Sequence, residues 1–268
     1  MSAEASFRRV ARTALRDGAR AEGERAVPEE VPVAFSYGGS THAVMMASPA
    51  DLVDFAVGFS LTEGIITSRA EIRSIEVVEA GQGYDVQVDL QDAEADALRA
   101  RRRHMAGPVG CGLCGIESIE QAVRTVPDLS GVELFVNGHD IVAAVKTLSE
   151  AQSLNRETRA VHGAGFYSAQ EGLLAVREDV GRHNALDKLA GAVINTEISS
   201  PAGIVAVTSR LSVEMVQKTA ILGSPVLAAI SAPTALAIET AERAGVTLVA
   251  LVRGEDFEIF TRADRIVL

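Results

Sequence analysis

A regular alternation of apolar runs and amphipathic segments between residues 172 and 252 is the strongest constraint on the fold of this chain. The strand-like runs GLLAVRE, GIVAVTS, PVLAAIS and VTLVALV alternate with the helical segments RHNALDKLAGAVI, SVEMVQKTAILG and PTALAIETAERAG. This alternation predicts an α/β fold with a mostly parallel sheet that helices cover on both faces. Ligands of such sheets bind beyond the carboxyl ends of the strands, which directs attention to REDVGRH, TSRLS, SAPT and VRGED.

The N-terminal part of the chain follows a different pattern. Strand-like runs flank GGS at residues 38–40 and GQG at residues 81–83, and each arrangement indicates a hairpin. Between the hairpins, SPADLVDFAVGFSLTEG predicts a helix with Ser48 as its N-cap and Gly64 at its end. The segment DAEADALRARRRH predicts a short charged helix.

These patterns divide the chain into three parts. Residues 1–28 are charged and weakly periodic, so we expect a mobile or loosely docked N-terminal arm. Residues 29–105 predict a small α+β domain, and residues 106–268 predict an α/β domain. Within that larger domain GVELFV is strand-like, and HDIVAAVKTLSEAQSLN predicts an amphipathic helix.

Composition limits the classes of function. Hydrophobic residues make up 47% of 268 residues, enough for a sizeable aliphatic core. No apolar run approaches the roughly 18 residues of a membrane span, and no signal peptide is evident, so we expect a cytoplasmic protein without membrane contact. The net charge of −11 disfavours a broad surface for nucleic acid.

The segment GPVGCGLCGIES contains both cysteines of the chain, Cys111 and Cys114. A pair so close in sequence closes too small a loop to stabilise a fold of this size, and a reducing compartment keeps both residues as thiols. A helix predicted to begin near Ile116 and the basic run Arg101–Arg103 both favour the thiolate. The surrounding glycines let the backbone bring a sulfur against another molecule, which suits a carrier.

Three other interpretations of the cysteine pair compete with a carrier. A structural zinc site needs four ligands, and the five histidines form no suitably spaced pair. A thioredoxin-like redox pair normally follows a strand, whereas this one follows a charged helix. PVGCGLC resembles half of the zinc site of a nucleobase deaminase, but neither His42 nor His104 is followed two residues later by the required Glu. We therefore expect no resident metal.

Two further polar segments follow predicted strands. In REDVGRHNALDK, Asp179, Arg182 and His183 surround a glycine turn that leads into a helix, an arrangement suited to an anion or a nucleotide. Each residue alone has a simpler explanation, since Asp179 can cap the helix and His183 can belong to the core. In TSRLSVEMVQK, Arg210 lies where a ligand phosphate would be expected.

Six segments in order from about residue 29 to the C-terminus resemble the formate dehydrogenase accessory sulfurtransferase family, FdhD. They are EEVPVAFSYGG, THAVMMASPADLVDFAVGFSLTEGII, RRRHMAGPVGCGLCGIE, EDVGRHNALDKLAG, TSRLSVEMVQKTAILG and SAPTALAIETAERAGVTLVALVRG. The resemblance implies a C-terminal domain with a cytidine-deaminase-like fold that lacks the zinc chemistry.

The resemblance also implies a function and its partners. A cysteine desulfurase would pass sulfur to Cys111, which we assign as the persulfide carrier with Cys114 in support. The sulfur would then reach the metal of the bis-molybdopterin guanine dinucleotide cofactor of a formate dehydrogenase. The family's cofactor-binding segment falls on Leu251, Val252, Arg253, Gly254, Glu255 and Asp256. Arg182, Arg210 and Arg253 would hold phosphates, and Asp179 would accept hydrogen bonds from guanine. His183 completes the predicted pocket. The family also suggests a homodimer.

Two departures from the family pattern affect the predicted site. LVRGED places Glu255 and Asp256 beside a ligand that should be anionic. TRAVHGA retains His162 but has Arg159 and Ala160 where family members tend to have glycines. Two other classes of function stay open, a chaperone that binds the cofactor without carrying sulfur and a thiol oxidoreductase.

Overall fold

The computed structural model describes residues 6–102, 126–196 and 202–268. Cys111, Cys114, Arg103 and residues 118–125 of the predicted helix SIEQAVRTV lie outside the described residues. Among the described residues, no helix is long and apolar enough to cross a membrane.

Residues 7–28 form an antiparallel hairpin of two ten-residue strands, β1 (Phe7–Arg16) and β2 (Ala19–Pro28). The connecting residues Asp17 and Gly18 have positive φ angles of 50° and 78°. An Asp-Gly pair with both residues in this region forms the tight turn that matches the twist of paired strands. The expected N-terminal arm therefore contains a regular hairpin that its weak apolar periodicity did not predict, because the Asp-Gly turn specifies it.

The next unit contains a four-stranded sheet in the order β4-β3-β6-β5, formed by β3 (Val31–Tyr37), β4 (Ser40–Ala47), β5 (Ile72–Ala80) and β6 (Gly83–Leu90). Both predicted hairpins are thus confirmed. Helix α1 (Leu52–Thr62) covers one face of this sheet. Helix α2 (Asp92–Arg102) follows β6 in the chain. Phe35 packs against the rings of Phe55 and Phe59, at centroid distances of 4.9 and 4.6 Å.

The predicted start of α1 is wrong, although its end near Gly64 is confirmed. The helix begins at Leu52, and the residue before it, Asp51, has a φ of 54° and no side-chain cap. Ser48 is fully buried and its backbone N–H donates to Asp179 Oδ2 at 2.9 Å. A contact across 131 residues of sequence has thus replaced the local cap.

The described residues of the larger unit contain five further helices. They are α3 (Gly138–Ala151), α4 (Ser153–Thr158), α5 (Arg182–Asn195), α6 (Val213–Leu222) and α7 (Ala235–Arg243). The predicted strand GVELFV is wrong except at its end, because only Val136 joins the short strand β7 (Val136–Asn137). That strand pairs in parallel with β14 (Ile266–Val267), close to the C-terminus.

The central sheet has six strands in the order β13-β12-β11-β10-β8-β9. They are β8 (His162–Ser168), β9 (Gly172–Asp179), β10 (Ile204–Val207), β11 (Val226–Ala229), β12 (Thr247–Arg253) and β13 (Asp256–Ile259). Only β10, β11 and β12 pair in parallel, while β8, β9 and β13 pair antiparallel to their neighbours. The predicted mostly parallel sheet is therefore wrong, because two hairpins add antiparallel strands at its edges.

Helices cover both faces of this sheet, as the apolar runs predict. Val205 and Val207 of β10 pack into a core with residues of α5, α6 and α7. Ile204 and Ala206, which alternate with them, pack into a second core with residues of α3. The alternation along one strand thus places successive side chains in two separate cores.

The two units meet where α1 crosses α5. A Cβ atom on Gly58 would lie 1.7 Å from the carbonyl oxygen of Asp187, and one on Gly191 would lie 1.9 Å from that of Asp54. The two helices therefore pack backbone against backbone. Arg177 of β9 also reaches across this contact and donates to Asp54 Oδ2 at 2.6 Å.

Candidate functional site

The carboxyl ends of four strands meet at one edge of the central sheet. Strand β8 is antiparallel to both of its neighbours, so β9 points in the same direction as β10, β11 and β12. The segments beyond these ends are linked, because Leu211 N–H donates to Ala232 O at 3.2 Å and Leu251 N–H donates to Ser231 O at 3.3 Å. The structure thus brings TSRLS, SAPT and VRGED together at what we call the carboxyl edge.

Three helices begin at the carboxyl edge. Gly181, Ser212 and Thr234 are the N-caps of α5, α6 and α7, and each of these helices follows a strand that ends there. The first N–H groups of a helix lack partners within the helix and carry a partial positive charge. The edge is therefore suited to an anionic ligand.

Asp179 lies at the end of β9 and is fully buried. Its Oδ1 accepts from Gly181 N–H at 2.7 Å and from Asn184 Nδ2 at 2.9 Å, while its Oδ2 accepts from Lys188 Nζ at 2.7 Å. Lys188 is equally buried and also donates to Ser48 O at 2.9 Å. Asp179 therefore holds the turn that leads into α5, and a guanine could use this carboxylate only by displacing one of these donors.

Arg182 and His183 form the first turn of α5, beyond the Asp179 turn. Among the described residues, the buried atoms Arg182 Nε and His183 Nε2 have no hydrogen-bond partner. Buried polar atoms are normally satisfied, so two unsatisfied nitrogens in one helical turn are consistent with donors reserved for a ligand.

His183 is neutral at physiological pH. Burial, with the nearby charges of Arg182 and Lys218, lowers the pKa of His183 to about 4. Burial and Arg182 also lower the pKa of His162, which lies opposite Asp179 in the β8–β9 register. The two imidazoles can therefore donate or accept hydrogen bonds without adding charge.

A second buried ion pair joins Lys218 to Asp187, which is next in sequence to Lys188 of the first pair. Lys218 Nζ of α6 donates to both oxygens of Asp187, at 2.7 and 2.9 Å, and to Thr62 Oγ1 at 3.0 Å. Burial raises the pKa of Asp187, and the charge of Lys218 opposes that shift. From sequence alone this pair has no predicted role. The sequence signal that could have indicated it is the pair of adjacent charged residues, Asp187 and Lys188, within an apolar helix.

The remaining predicted ligand residues have different positions. Arg210 is exposed at the carboxyl edge. The β12–β13 turn exposes Arg253, Gly254, Glu255 and Asp256, whereas Val252 is buried in the core on the α3 side. Leu251 has a positive φ of 55° at an irregularity between Ala250 and Arg253. The Val252 side chain is thus unavailable to a ligand, and the other side chains of the turn remain accessible.

The chain on either side of the cysteines is anchored in the described residues. Leu98 of α2 is buried in the core beneath the N-terminal sheet. Leu129 is buried in the core that contains α5, α6 and α7, and its N–H donates to Ala244 O at 2.8 Å. The buried guanidinium of Arg265 donates to the carbonyl oxygens of Leu129 and Val132.

The fold is that of a mixed α/β protein in which helix N-termini, arginines and neutral histidines lie at one edge of the central sheet. The FdhD/NarQ family model matches residues 28–267, and the chain belongs to this family.

Individual relatives agree with the family match. The chain is 86% identical to the sulfur carrier protein FdhD of Agrobacterium fabrum, over 100% of this chain and 99% of that protein. It is 57% identical to the sulfur carrier protein FdhD of Brucella abortus, over 92% and 91%. A crystal structure assigned as a formate dehydrogenase accessory protein from Desulfotalea psychrophila has a TM-score of 0.77 and 27% identity, and covers 98% of this chain and 100% of that one.

Proposed function

We propose that this protein is a sulfur carrier that supports a formate dehydrogenase. The observation that carries the proposal is the 86% identity, along the whole chain, to a protein named as a sulfur carrier. A carrier of this kind needs a nucleophilic thiol, and Cys111 and Cys114 are the only cysteines of the sequence.

The first step of the proposed reaction is a thiol exchange. The thiolate of Cys111 attacks the terminal sulfur of a persulfide on a cysteine desulfurase. A new S–S bond forms on Cys111 as the donor's S–S bond breaks, and the donor leaves as a thiolate. The exchange consumes no external oxidant or reductant, because the sulfane sulfur keeps its oxidation state. Cys114 supports this step or shares the sulfur.

The proposed acceptor is the metal of the bis-molybdopterin guanine dinucleotide cofactor, which this protein binds as substrate. The carboxyl edge offers groups for its guanine and phosphates, since Arg182 Nε and His183 Nε2 are buried without hydrogen-bond partners among the described residues, and His183 Nε2 lies 3.8 Å from Glu214 Oε2. Arg210 and Arg253 are exposed cations at the same edge. Arg182, Arg210 and Arg253 would hold the phosphates. Neutral His183 and the Gly254–Asp256 turn would contact the uncharged groups.

The proposal includes a cellular setting. The sulfur donor is a cysteine desulfurase and the client is the catalytic subunit of a formate dehydrogenase. We place the protein in the cytoplasm as a homodimer, with the cytidine-deaminase-like arrangement of its family in the larger unit. These assignments rest on family membership and on the chemistry of the site.

Intact-mass analysis tests the carrier function. We expect the reduced protein to gain about one sulfur mass after incubation with a cysteine desulfurase and cysteine, and to lose it again on treatment with a reductant. Cys111→Ala should abolish the gain, and Cys114→Ala should retain at least part of it.

The same experiment distinguishes the two alternatives. If the wild-type protein gains no sulfur from an active desulfurase but still binds guanosine diphosphate, a cofactor-binding chaperone explains the site better. A loss of two hydrogens that a reductant reverses, without a gain of sulfur, would instead indicate a thiol oxidoreductase.

A further inference from the structure

The N-terminal hairpin, β1 with β2, contains a surface that the proposed sulfur transfer does not use. The family match begins at residue 28, so the hairpin precedes the region common to the family model. The hairpin packs against α4, where Arg25 donates to Thr158 O at 3.2 Å and Arg9 lies 3.9 Å from Glu157.

Charge is segregated between the two faces of the hairpin. Successive residues of a strand point to opposite faces, so Arg8, Arg12 and Arg16 share one face of β1. The register places Arg25 on that same face, opposite Val10. The other residues there are small or apolar, namely Ala14, Ala19, Ala21, Gly23 and Val27. We call this the arginine face.

The arginine face has no acidic side chain of its own. Glu22 and Glu24 both lie on the opposite face, where Glu22 pairs with Arg20 at 2.7 Å. Arg8 pairs with Glu29 at the base of the hairpin, at 2.9 Å. Arg12 and Arg16 have no ion pair among the described residues. This concentration of positive charge stands out on a chain with a net charge of −11.

The hairpin also has a free strand edge. In the described parts of the chain β1 pairs only with β2, so half of its backbone N–H and C=O groups point away from the hairpin. A groove of about 480 Å³ lies between the hairpin and α4, and its charged lining consists of five arginines and two carboxylates: Arg9, Arg12, Arg16, Arg25, Arg159, Glu24 and Glu157. An extended segment on β1 would therefore lie beside a row of guanidinium groups.

We propose that the hairpin is a docking site for an acidic, extended polypeptide segment of a partner protein. The segment adds to the free edge of β1 as a third strand, and its alternate carboxylates face the arginines. Nucleic acid fits this surface less well, because the arginine face has no aromatic side chain for base stacking and the chain as a whole is acidic. This proposal does not depend on sulfur transfer.

A fluorescent ten-residue peptide of alternating Glu and Thr is the probe, measured by anisotropy with the full-length protein at low ionic strength. We expect saturable binding that weakens as salt is added. The double variant Arg12→Gln/Arg16→Gln should weaken binding about tenfold, because it removes two charges that face the peptide.

A matched variant tests whether the face matters rather than total charge. Arg20→Gln/Arg243→Gln removes the same charge from the opposite face of the hairpin and from α7, both outside the groove, and should change the affinity less than about twofold. Equal loss in both double variants would reduce the effect to bulk charge and overturn the proposal. Circular dichroism of each variant verifies that the fold is intact.

Two further probes test the mode of binding. A peptide of the same charge with Pro in place of Thr cannot donate the backbone hydrogen bonds of an added strand, so it should bind much more weakly. Equal binding of both peptides contradicts strand addition. A ten-nucleotide thymidine oligomer that binds more tightly than the acidic peptide, and loses affinity in the Arg12/Arg16 variant, would assign the surface to nucleic acid instead.

Discussion

At the scale of single residues, the buried Asp179–Lys188 pair fixes the turn beneath the candidate ligand site. Both side chains are inaccessible to solvent, and every polar contact of the pair is within the protein. Removing one partner of a buried pair leaves an uncompensated charge, which is more costly than losing the pair as a whole. The pair therefore makes the turn stiff but sensitive to single substitutions.

Lys188→Met should lower the free energy of unfolding by about 3–5 kcal/mol. The double variant Asp179→Asn/Lys188→Met should recover part of that loss, because it removes both charges. Urea denaturation of the wild type and the three variants, including Asp179→Asn, measures the coupling. A loss below about 1 kcal/mol for Lys188→Met would show that the ammonium contributes little to the fold.

His183 should make stability depend on pH. Its pKa is about 4 in the folded protein, whereas the ordinary pKa of histidine is 6.5. Between these two values the unfolded chain binds more protons, so stability is present above about pH 6.5 and decreases as the pH falls toward 4. Comparing the free energies of unfolding of wild type and His183→Gln from pH 7 to pH 4.5 measures this contribution. We expect a difference on the order of 2 kcal/mol across that range, and a constant difference would contradict a lowered pKa.

Sequence alone placed several candidate residues at a strand end but could not assign their contacts. Asp179, Arg182 and His183 follow a strand and begin a helix, a local pattern that is visible without a structure. The partners of Asp179 include Ser48, which is 131 residues away and which local pattern indicated as a helix cap. Ser48 Oγ, the atom that would cap the helix, instead accepts from Val180 N–H at 3.2 Å, and no local signal distinguishes these two uses.

At the scale of secondary-structure elements, the crossing of α1 and α5 leaves no room for side chains. Gly58→Ala should therefore lower the free energy of unfolding by about 3 kcal/mol or more, because its new Cβ would overlap the backbone of Asp187. Gly131→Ala is the matched control, since its Cβ would meet no atom within 4 Å, and we expect a change within about 0.5 kcal/mol. Thermal or chemical denaturation measures both, and similar values for the two variants would contradict close helix contact.

Elements with long apolar patterns were predictable, and those specified by turns were less so. The strands and helices between residues 172 and 252 match their predicted positions, because burial on both faces requires uninterrupted apolar runs. Strand β8 has the sequence HGAGFYS, whose glycines conceal its pattern. The antiparallel strands at the edges of the central sheet and the hairpin β1–β2 depend on their turns. In the hairpin, the turn residues are Asp17 and Gly18. The apolar pattern of the flanking segments is too weak to indicate such elements.

At the scale of the whole molecule, the two units share one continuous interface. The crossing of α1 and α5, the Arg177–Asp54 contact and both buried ion pairs join residues of the N-terminal unit to the central sheet and its helices. The division near residue 105 inferred from sequence therefore separates two patterns of elements that pack together across this interface. Residues far apart in sequence determine that packing, so a residue-by-residue pattern could not reveal it.

The anchors at Leu98 and Leu129 also limit how far the two thiols can travel. Cys114 is 15 residues from Leu129, so the chain confines its sulfur to within about 50 Å of that anchor. Leu129 bonds to Ala244 at the edge of the sheet opposite the carboxyl edge. Strands as short as four residues, or about 13 Å, separate these two edges. Fifteen residues of extended chain are therefore long enough to reach the carboxyl edge from the Leu129 anchor. Delivery of sulfur to a ligand bound at the carboxyl edge would thus be an intramolecular reaction, with a rate independent of protein concentration.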